Sequence, residues 1–311
     1  MTAVKIPRIA VIGSNMVDLV TYVTRMPVRG ETIEAPSFEM GHGGKGANQA
    51  IAAAKLGAQV LMVTCVGDDT FADGTIKNLA NHGIDTTYVR RVPGKSSGVA
   101  PIMVEPNGEN CILIVKGANA DLSPDDIERA GEALKSCDLI LLQLEVPIET
   151  VYAAIAFGKR HGIRTVLNPA PAAPGLEIDK VRDVNFFAPN ETELALLTAL
   201  PVETDAEIVA AARQLLDRGV GAIVVTLGGR GALLVTGTDV KLIPPARVTP
   251  VDTTGAGDAF VGSFAVFHAE GMDLEAALNR AARYAADSVT RRGTQKAYAT
   301  RAEFEQFESS R

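Results

Sequence analysis

The stretch ANQAIAAAKLGAQVLMVTCVG, residues 47–67, places an alanine-rich helical segment directly before a continuous apolar run. The run at 60–66 lacks the alternation of a half-exposed strand, so it predicts a strand that is buried on both faces. Such strands are typical of parallel sheets that are covered by helices on both sides. The stretch therefore predicts an α/β fold.

The same alternation recurs along the chain. Further apolar strands are predicted at RIAVIGS (8–14), DLILLQL (138–144) and GAIVVTL (221–227), with amphipathic helical segments between them. A chain of 311 residues, 47% of them hydrophobic, can bury a large core without dividing into several domains. We therefore predict one doubly wound α/β domain over residues 1–311.

Two segments break this rhythm. Residues 18–40 and 97–117 alternate apolar with polar side chains, and the second contains EPNGEN (105–110), a hairpin-turn signal. Half-buried strands of this kind predict a small antiparallel sheet that projects from the core. An exposed apolar face on that sheet would close over a ligand or pair with another subunit.

Composition excludes some classes of partner and site. The net charge of −7 gives no general attraction to nucleic acid or to an anionic membrane. The three cysteines, Cys65, Cys111 and Cys137, form no CxxC pair and predict neither a disulfide framework nor a zinc site. With no signal-peptide pattern and no apolar run of roughly 20 residues, the sequence predicts a cytoplasmic protein.

The stretch TPVDTTGAGDAF, residues 249–260, predicts an anion site at the start of a helix. Asp252 and Thr254 are expected to end a strand, and the Gly255–Gly257 segment to turn the chain so that successive N–H groups point one way. Free N–H groups at a helix start can stabilise charge on a transferred phosphoryl group. Asp258, in the first helical turn, could then accept a proton from an attacking hydroxyl. An ordinary N-capped helix is the alternative, but it does not require the flanking glycines.

Acidic side chains follow other predicted strands. Asp18 and Glu145 come after apolar runs, and ligands of doubly wound sheets bind outside the carboxyl ends of strands. A surface turn is the alternative for both. In NETE (190–193), Asn190 and Glu193 have the spacing of a capping box, and Glu193 could also hold Mg²⁺ through water.

Two glycine-rich stretches complete the candidates. GHGGKGAN (41–48) formally matches a dinucleotide fingerprint, but no buried parallel strand precedes it, which argues against a dehydrogenase. We expect Lys45, Asn48 and the Gly44 backbone to hydrogen-bond a polyhydroxylated substrate instead. TLGGRG (226–231) joins two apolar strands and could line a shelf for a nucleotide.

Several of these motifs together resemble a known family. GGKGANQA (43–50), NPAP (168–171), PNETE (189–193), TLGGRG (226–231) and DTTGAGDAF (252–260) resemble motifs of the ribokinase (PfkB) family of sugar kinases and occur in the family's order. The similarity covers nearly the full length and is greatest to ribokinases and deoxyribokinases. It implies a ribokinase-like doubly wound sheet flanked by helices, with a projecting β lid that commonly builds a dimer.

The resemblance also implies an activity and a set of residues. The implied reaction transfers the γ-phosphoryl group of ATP to O5 of D-ribose or 2-deoxy-D-ribose. Asp258 matches the catalytic base, and Glu193 matches the residue associated with Mg²⁺. The anion hole of the family matches Gly255, Ala256 and Gly257, and its sugar-binding positions match Met16, Asp18, Gly44, Lys45, Asn48 and Glu145. Its nucleotide-binding positions match Asn190, Thr226, Leu227, Gly228, Gly229, Arg230, Gly231 and Gly257. Its site for a monovalent cation, usually K⁺, matches Asp252, Thr254, Ser288, Arg291 and Gly293.

Met16 departs from the pattern of several family members, which have an asparagine that binds the sugar's 2-hydroxyl group. A thioether loses nothing when C2 carries only hydrogens, whereas an unpaired hydroxyl group against it costs roughly 1 to 3 kcal/mol. Met16 therefore favours 2-deoxyribose as the substrate. The neighbouring Asn15 could replace the missing asparagine, so ribose stays open as an alternative. The sequence also leaves open a fructokinase or nucleoside kinase of the same family, and a catalytically silent sugar or nucleotide sensor.

Overall fold

Strands buried on both faces form the centre of the computed structural model, which describes residues 5–173 and 175–310. Over these residues the strands are β1 Arg8–Ile12, β2 Met16–Tyr22, β3 Ser37–Gly43, β4 Gln59–Val66, β5 Asp85–Arg91, β6 Val99–Val104, β7 Asn110–Ile112, β8 Leu139–Leu142, β9 Arg164–Leu167, β10 Phe186–Phe187, β11 Ala222–Thr226, β12 Ala232–Val235 and β13 Val240–Ile243. The helices are α1 Lys45–Lys55, α2 Thr70–Asn81, α3 Pro124–Leu134, α4 Ile148–His161, α5 Ile178–Val181, α6 Glu191–Thr198, α7 Asp205–Asp217, α8 Ala256–Ala269, α9 Leu274–Ser288 and α10 Arg301–Ser309. Short 3-10 helices occur at Gly117–Asp121, Gly228–Arg230 and Gln295–Ala297.

The larger sheet has the order β13-β12-β11-β10-β9-β8-β1-β4-β5 in the described part of the chain. All neighbours from β5 to β11 pair in parallel, while β12 is antiparallel to both of its neighbours. The α/β fold class, with a doubly wound and mainly parallel sheet, is confirmed.

The chain reverses its direction of travel across this sheet at β1. From β1 it moves outward to β4 and β5, and it then returns to β8 on the other side of β1 and continues toward β13. Connections leave the neighbouring strands β1 and β8 in opposite directions, which opens a crevice outside their carboxyl ends. The fold therefore predicts a ligand site between the segments that follow β1 and β8.

Apolar side chains alternate between the two faces of the sheet and build a core on each. Ala10 and Ile12 pack with buried residues of α3, α4, α6 and α7, whereas Ile9 and Val11 pack with those of α1, α8, α9 and α10. Covering both faces removes the strands from water, which explains their continuous apolar sequences. Within residues 5–173 and 175–310, no helix combines the length and the apolar character that crossing a membrane requires.

A second sheet of four strands, which we call the small sheet, has the order β3-β2-β6-β7. Its strands come from the two segments that break the rhythm of the sequence, and β6 and β7 form the hairpin around EPNGEN. The expectation of a purely antiparallel sheet is wrong, because β2 and β6 pair in parallel. Several strands and helices of the core lie between β2 and β6 in the sequence. The two strands therefore need not run in opposite directions, as the partners of a hairpin must.

The segment before α8 also differs from the sequence prediction. Asp252 and Thr254 do not end a strand, because β13 ends at Ile243 and residues 244–255 lie outside the strands and helices. Pro244, Pro245 and Pro250 lack the backbone N–H groups that a strand needs for its ladder. The chain therefore reaches α8 through an irregular loop.

Candidate active site

Polar groups meet in the crevice between the segments that follow β1 and β8. Ser14 follows β1 and Glu145 follows β8, and the Ser14 hydroxyl donates a hydrogen bond to Glu145 Oε2. The backbone N–H of Lys45 donates to the same oxygen at 2.9 Å, and the N–H of Ala47 donates to the Ser14 carbonyl at 2.8 Å. The N-terminus of α1 is thus capped by the protein itself, which removes the donors that a dinucleotide phosphate would need.

Gly44 allows the start of α1 to approach β1 and β2 closely. Its φ of 87° lies in the left-handed region, and a Cβ there would lie 2.7 Å from the backbone nitrogen of Met16. Only glycine avoids both problems at this position. The backbone of Gly44 consequently lies against the backbone of Asn15 and Met16, where β2 begins.

Asp258 is a buried carboxylate in the first turn of α8, with a side-chain amide donor on each oxygen. Asn48 Nδ2 lies 3.0 Å from Oδ2, and Gln49 Nε2 lies 3.0 Å from Oδ1. Both donors come from α1, which packs along α8. Gln49 was missed by the sequence analysis; the signal for it was a polar residue beside Asn48 in a helix whose other residues between its terminal lysines are glycine, alanine and isoleucine.

The N-terminus of α8, unlike that of α1, has backbone N–H groups free. Among the described residues, the N–H groups of Gly255, Gly257 and Asp258 have no protein partner, while that of Ala256 makes a 3.3 Å bond to the Thr253 carbonyl. Gly257 is exposed, and a Cβ there would meet none of the described atoms within 4 Å. The helix start therefore offers donors and space to an anion.

Gly255 shapes this helix start. It precedes α8 with φ 76° and ψ 5°, in the left-handed region. A Cβ at this position would come within 2.3 Å of Thr294 Cγ2 and 2.7 Å of the Tyr298 hydroxyl oxygen. That hydroxyl group donates to the Gly255 carbonyl at 2.9 Å, so Tyr298 helps to hold the turn that precedes α8.

The charges of the crevice are mostly negative. Burial and the charge of Glu145 raise the pKa of Asp18 to about 6. Burial also raises the pKa of Glu193, with a further contribution from the charge of Asp258. Burial lowers the pKa of Lys45, but the carboxylates of Asp258, Glu145 and Glu193 outweigh it, so that pKa is raised overall. One ammonium group thus shares the crevice with four carboxylates, which suits a neutral acceptor and calls for a cation beside any polyphosphate.

Glu193 is the carboxylate that the sequence predicts to hold Mg²⁺ through water. The predicted capping box is present: Glu193 N–H donates to Asn190 Oδ1 at 2.7 Å, and Asn190 N–H donates to Glu193 Oε2 at 2.9 Å. In the described ranges, no cluster of three or more His, Cys, Asp or Glu side chains forms a ready metal site. A hard cation that keeps its waters, such as Mg²⁺, fits a site with one such carboxylate plus phosphate oxygens.

The predicted nucleotide shelf follows β11. The N–H of Thr226 donates to the Pro189 carbonyl at 2.9 Å, which places TLGGRG beside the start of α6 and Asn190. Leu227 is buried, whereas Gly228, Gly229 and Arg230 are exposed, and Gly231 returns the chain into β12. Arg230 forms ion pairs with Glu191 and Asp205 on the surface.

The predicted cation residues lie on two loops that Asp252 connects. Its Oδ1 accepts the N–H of Thr254 and its Oδ2 accepts the N–H of Gly293, each at 2.9 Å. Burial opposes ionisation, but these bonds outweigh it and lower the pKa of Asp252. The Arg291 side chain pairs with Asp287 and donates to the Ala297 carbonyl, so only its backbone could face a cation. Ser288 is buried, its hydroxyl group donates to the Ala285 carbonyl, and its own carbonyl accepts the N–H of Arg291 at 3.3 Å.

The comparison with protein families accounts for this arrangement. The model of the pfkB family of carbohydrate kinases matches residues 7–301, which is nearly the whole chain. The chain belongs to the pfkB family of carbohydrate kinases. The resemblance seen in the sequence motifs is thereby confirmed.

Relatives within the pfkB family are similar over almost their full length. The chain is 58% identical to the deoxyribokinase of Salmonella typhimurium over 299 residues, which cover 96% of this chain and 98% of that protein. It is 42% identical to the ribokinase of Bacillus subtilis, also over 299 residues and with the same shares covered. The structure of Arabidopsis thaliana ribokinase complexed with ribose and ATP is similar with a TM-score of 0.88 at 32% identity, covering 97% of this chain and 99% of that one. These similarities confirm the ribokinase-like fold.

Met16, the departure from several pfkB kinases, is buried at the start of β2. Its Sδ lies 3.8 Å from Asn119 Nδ2, and it pairs with Gly43 across the small sheet. Asn15 is only 1% exposed, and its Nδ2 donates to Thr64 Oγ1 and to the Cys65 carbonyl, both at 2.8 Å. The NH₂ group of Asn15 is therefore held within the protein and is not available to a 2-hydroxyl group, whereas Asn15 Oδ1 is buried without a partner among the described atoms.

Proposed function

We propose that the chain is an ATP-dependent pentose kinase that phosphorylates O5 of 2-deoxy-D-ribose or D-ribose. The observation that carries the proposal is the Asp258 carboxylate, which is buried, held by two amides and placed in the first turn of a helix with free N–H groups. General base and anion hole are the two elements that phosphoryl transfer to a hydroxyl group requires. The similarity to a deoxyribokinase and to a ribokinase complexed with ribose and ATP supports this substrate class.

In the proposed reaction, Asp258 accepts the proton of the 5-hydroxyl group as that oxygen attacks the γ-phosphorus of ATP. The new bond joins O5 to phosphorus, and the bond from phosphorus to the bridging oxygen breaks, so that ADP leaves with the electron pair. The N–H groups of Gly255, Ala256 and Gly257 stabilise the negative charge on the transferred group; that of Ala256 first leaves its long bond to Thr253.

The acceptor would bind among residues that follow β1 and β8. Asp18 and Glu145 offer carboxylate oxygens to sugar hydroxyl groups, while Lys45 and Asn48 offer N–H donors and Gly44 its backbone. Met16 would face C2 of the sugar. Because no amide stands at position 16 and the NH₂ group of Asn15 is hydrogen-bonded to Thr64 and Cys65, we propose 2-deoxy-D-ribose as the preferred acceptor.

The nucleotide would bind on the opposite side, near Asn190 and the segment Thr226 to Gly231. Mg²⁺, held through Glu193 and water, would neutralise charge on the ATP phosphates. A monovalent cation, K⁺ by family resemblance, would bind between the loops that Asp252 connects, with oxygen ligands from Asp252, Thr254 and the backbone of residues 288–293. Such a charge beside the turn that precedes α8 would help to order the anion hole.

The small sheet would act as a lid and as a dimer contact. Its exposed apolar side chains include Phe38, Met40, Ile112, Leu113 and Ile114, each at least half exposed. Closing over the sugar would exclude water from the phosphoryl group, and pairing of two such sheets would bury this patch. Sedimentation analysis tests the proposed homodimer, and a monomer at micromolar concentration would contradict it.

The test of the proposed activity is ADP release with MgATP and KCl. D-Ribose, 2-deoxy-D-ribose, fructose and inosine are compared with a blank that contains no acceptor, and the Asp258→Asn variant serves as the inactive control. Preference for 2-deoxy-D-ribose supports the full proposal. Turnover of fructose or inosine alone would assign a different pfkB kinase, and sugar binding without ADP release would point to a silent sensor. Replacing KCl with tetramethylammonium chloride tests the cation, because turnover should fall.

A further inference from the structure

Side-chain amides form a row that ends on Asp258. Asn78 Nδ2, from α2, donates to Gln295 Oε1 at 2.9 Å. Gln295 Nε2 donates to Asn48 Oδ1 at 2.9 Å, and Asn48 Nδ2 donates to Asp258 Oδ2 at 3.0 Å. Gln295 and Asn48 are both less than a tenth exposed, so little water competes for these bonds.

A second row reaches the other carboxylate oxygen. Gln143, which directly follows β8, donates from Nε2 to Gln49 Oε1 at 2.6 Å. Gln49 Nε2 donates to Asp258 Oδ1 at 3.0 Å and to Asn168 Oδ1 at 3.3 Å. Gln143 and Gln49 are fully buried. Each oxygen of the carboxylate therefore accepts a donor whose own acceptor end is already occupied.

These rows have a direction. A primary amide has a donor end and an acceptor end, so a partner that donates to its oxygen turns its NH₂ group toward the next member. Gln295 holds the Asn48 oxygen and thereby turns the Asn48 NH₂ group toward Asp258. If Asn48 turned over, its oxygen would face the carboxylate, and two buried acceptors would lie against each other without a proton between them.

We propose that Gln295 and Gln49 are positioning residues for phosphoryl transfer: Gln49 holds one oxygen of the catalytic carboxylate, and Gln295 orients Asn48, which holds the other. The inference rests on the proposed kinase function. It also connects two parts of the site, since Gln295 lies two residues after Gly293, whose N–H donates to Asp252 at 2.9 Å. The loop assigned to the monovalent cation is thus connected to Asp258 through two side chains, Gln295 and Asn48.

The test compares Gln295→Met, which removes the donor at similar length, with Gln295→Glu, which puts an acceptor opposite the Asn48 oxygen. The rate of a single turnover at saturating MgATP and sugar should fall by up to roughly tenfold in the Met variant, the upper value for one hydrogen bond between neutral groups. It should fall further in the Glu variant, because Asn48 then turns its NH₂ group away from Asp258. The KM for ATP should stay close to that of the wild type, whereas the melting temperature should fall by a few degrees, because Asn48 Oδ1 loses its buried partner.

Two controls make these results specific. Asn279→Asp applies the same amide-to-acid change on α9, where Asn279 Nδ2 donates to the Glu275 carbonyl, and should leave turnover unchanged. Gln49→Met should lower the single-turnover rate to a similar extent as Gln295→Met. Rates within twofold of the wild type in both folded Met variants would overturn the inference while leaving the kinase function intact.

A readout without turnover separates the two proposals. In ¹⁵N spectra, Asp258→Asn should shift the side-chain NH₂ signals of Asn48 and Gln295, because the row transmits the loss of the carboxylate, but not that of Asn279. If the wild type phosphorylates no sugar and these shifts still occur, the rows stand and the proposed function fails. An unshifted Gln295 signal would refute the first row even if the variants at position 295 do not fold.

Discussion

Replacing Gly257 with alanine should stabilise the protein and impair it at the same time. Gly257 is the second residue of α8, it is exposed, and its backbone is helical, so alanine fits without strain. A Cβ there meets none of the described atoms within 4 Å. Exchange of a helical glycine for alanine is worth about 0.5–1 kcal/mol, which raises the melting temperature of a chain of this size by about 1–4 °C.

We expect the same methyl group to take up space that a phosphoryl group at the proposed anion hole would occupy. Removing one donor from such a site typically lowers kcat by about a hundredfold or more, and we expect a loss of this order because the phosphoryl oxygens can no longer approach the Gly257 N–H. Thermal unfolding and ADP release are measured on the same preparations. The KM for the sugar should change little, because the acceptor residues belong to other elements.

Gly255→Ala is the matched comparison. Alanine there must adopt φ 76° and must displace Thr294 and Tyr298, so the variant should be destabilised by at least about 1–2 kcal/mol as well as inactive. The reasoning about α8 is refuted if Gly257→Ala lowers the melting temperature by several degrees. A Gly257→Ala variant that is stabilised but keeps full activity would refute the anion-hole assignment, because the open space beside Gly257 would then hold no phosphoryl group.

Three further results are expected. Asp258→Asn should lower turnover by about 10²–10⁴-fold while calorimetry still detects sugar binding, and near-normal turnover would remove the base assignment. Met16→Asn should raise the ratio of kcat/KM for ribose over 2-deoxyribose by roughly 5- to 150-fold, corresponding to about 1–3 kcal/mol, and an unchanged ratio would exclude contact with C2. The folded protein binds the Asp18 proton more tightly than the unfolded chain does, so this contribution to stability is complete below about pH 4 and is lost as the pH rises through about 6. Asp18→Asn should therefore raise the melting temperature at pH 8 relative to the wild type but not at pH 4, and an equal effect at both pH values would contradict the shift.

The order of buried strands and helices could be predicted because each depends on local pattern. Continuous apolar runs such as residues 60–66 can be buried only in a sheet that is covered on both faces, and the capping box of Asn190 and Glu193 is complete within four residues. The family motifs added the identity of the candidate residues, which spacing alone left open. The prediction failed in the segment before α8, where a β-branched pattern around Val251 hid the effect of three prolines.

Contacts between distant segments could not be predicted from the sequence. The donors on Asp258 come from residues 48 and 49, about 210 positions away, and nothing local to either helix shows that they face each other. The cap of α1 by Glu145 is equally remote, since the acceptor lies 100 positions after Lys45. Asn15 illustrates the limit most clearly: its polar side chain invited a role at the sugar, yet the fold buries it against Thr64.

The reversal of strand order at β1 also separates two groups of proposed site residues along the sequence. The residues proposed for the acceptor lie within positions 16–48, apart from Glu145, whereas those proposed for the nucleotide and the anion hole all follow position 189. Substitutions that change which sugar fits can therefore accumulate in the 5′ part of the coding sequence while the phosphate side stays constant. A chimera that takes about the first 145 residues from a relative with another acceptor, and so includes Glu145, should inherit that relative's sugar and keep ATP as donor, which makes this architecture easy for evolution to diversify.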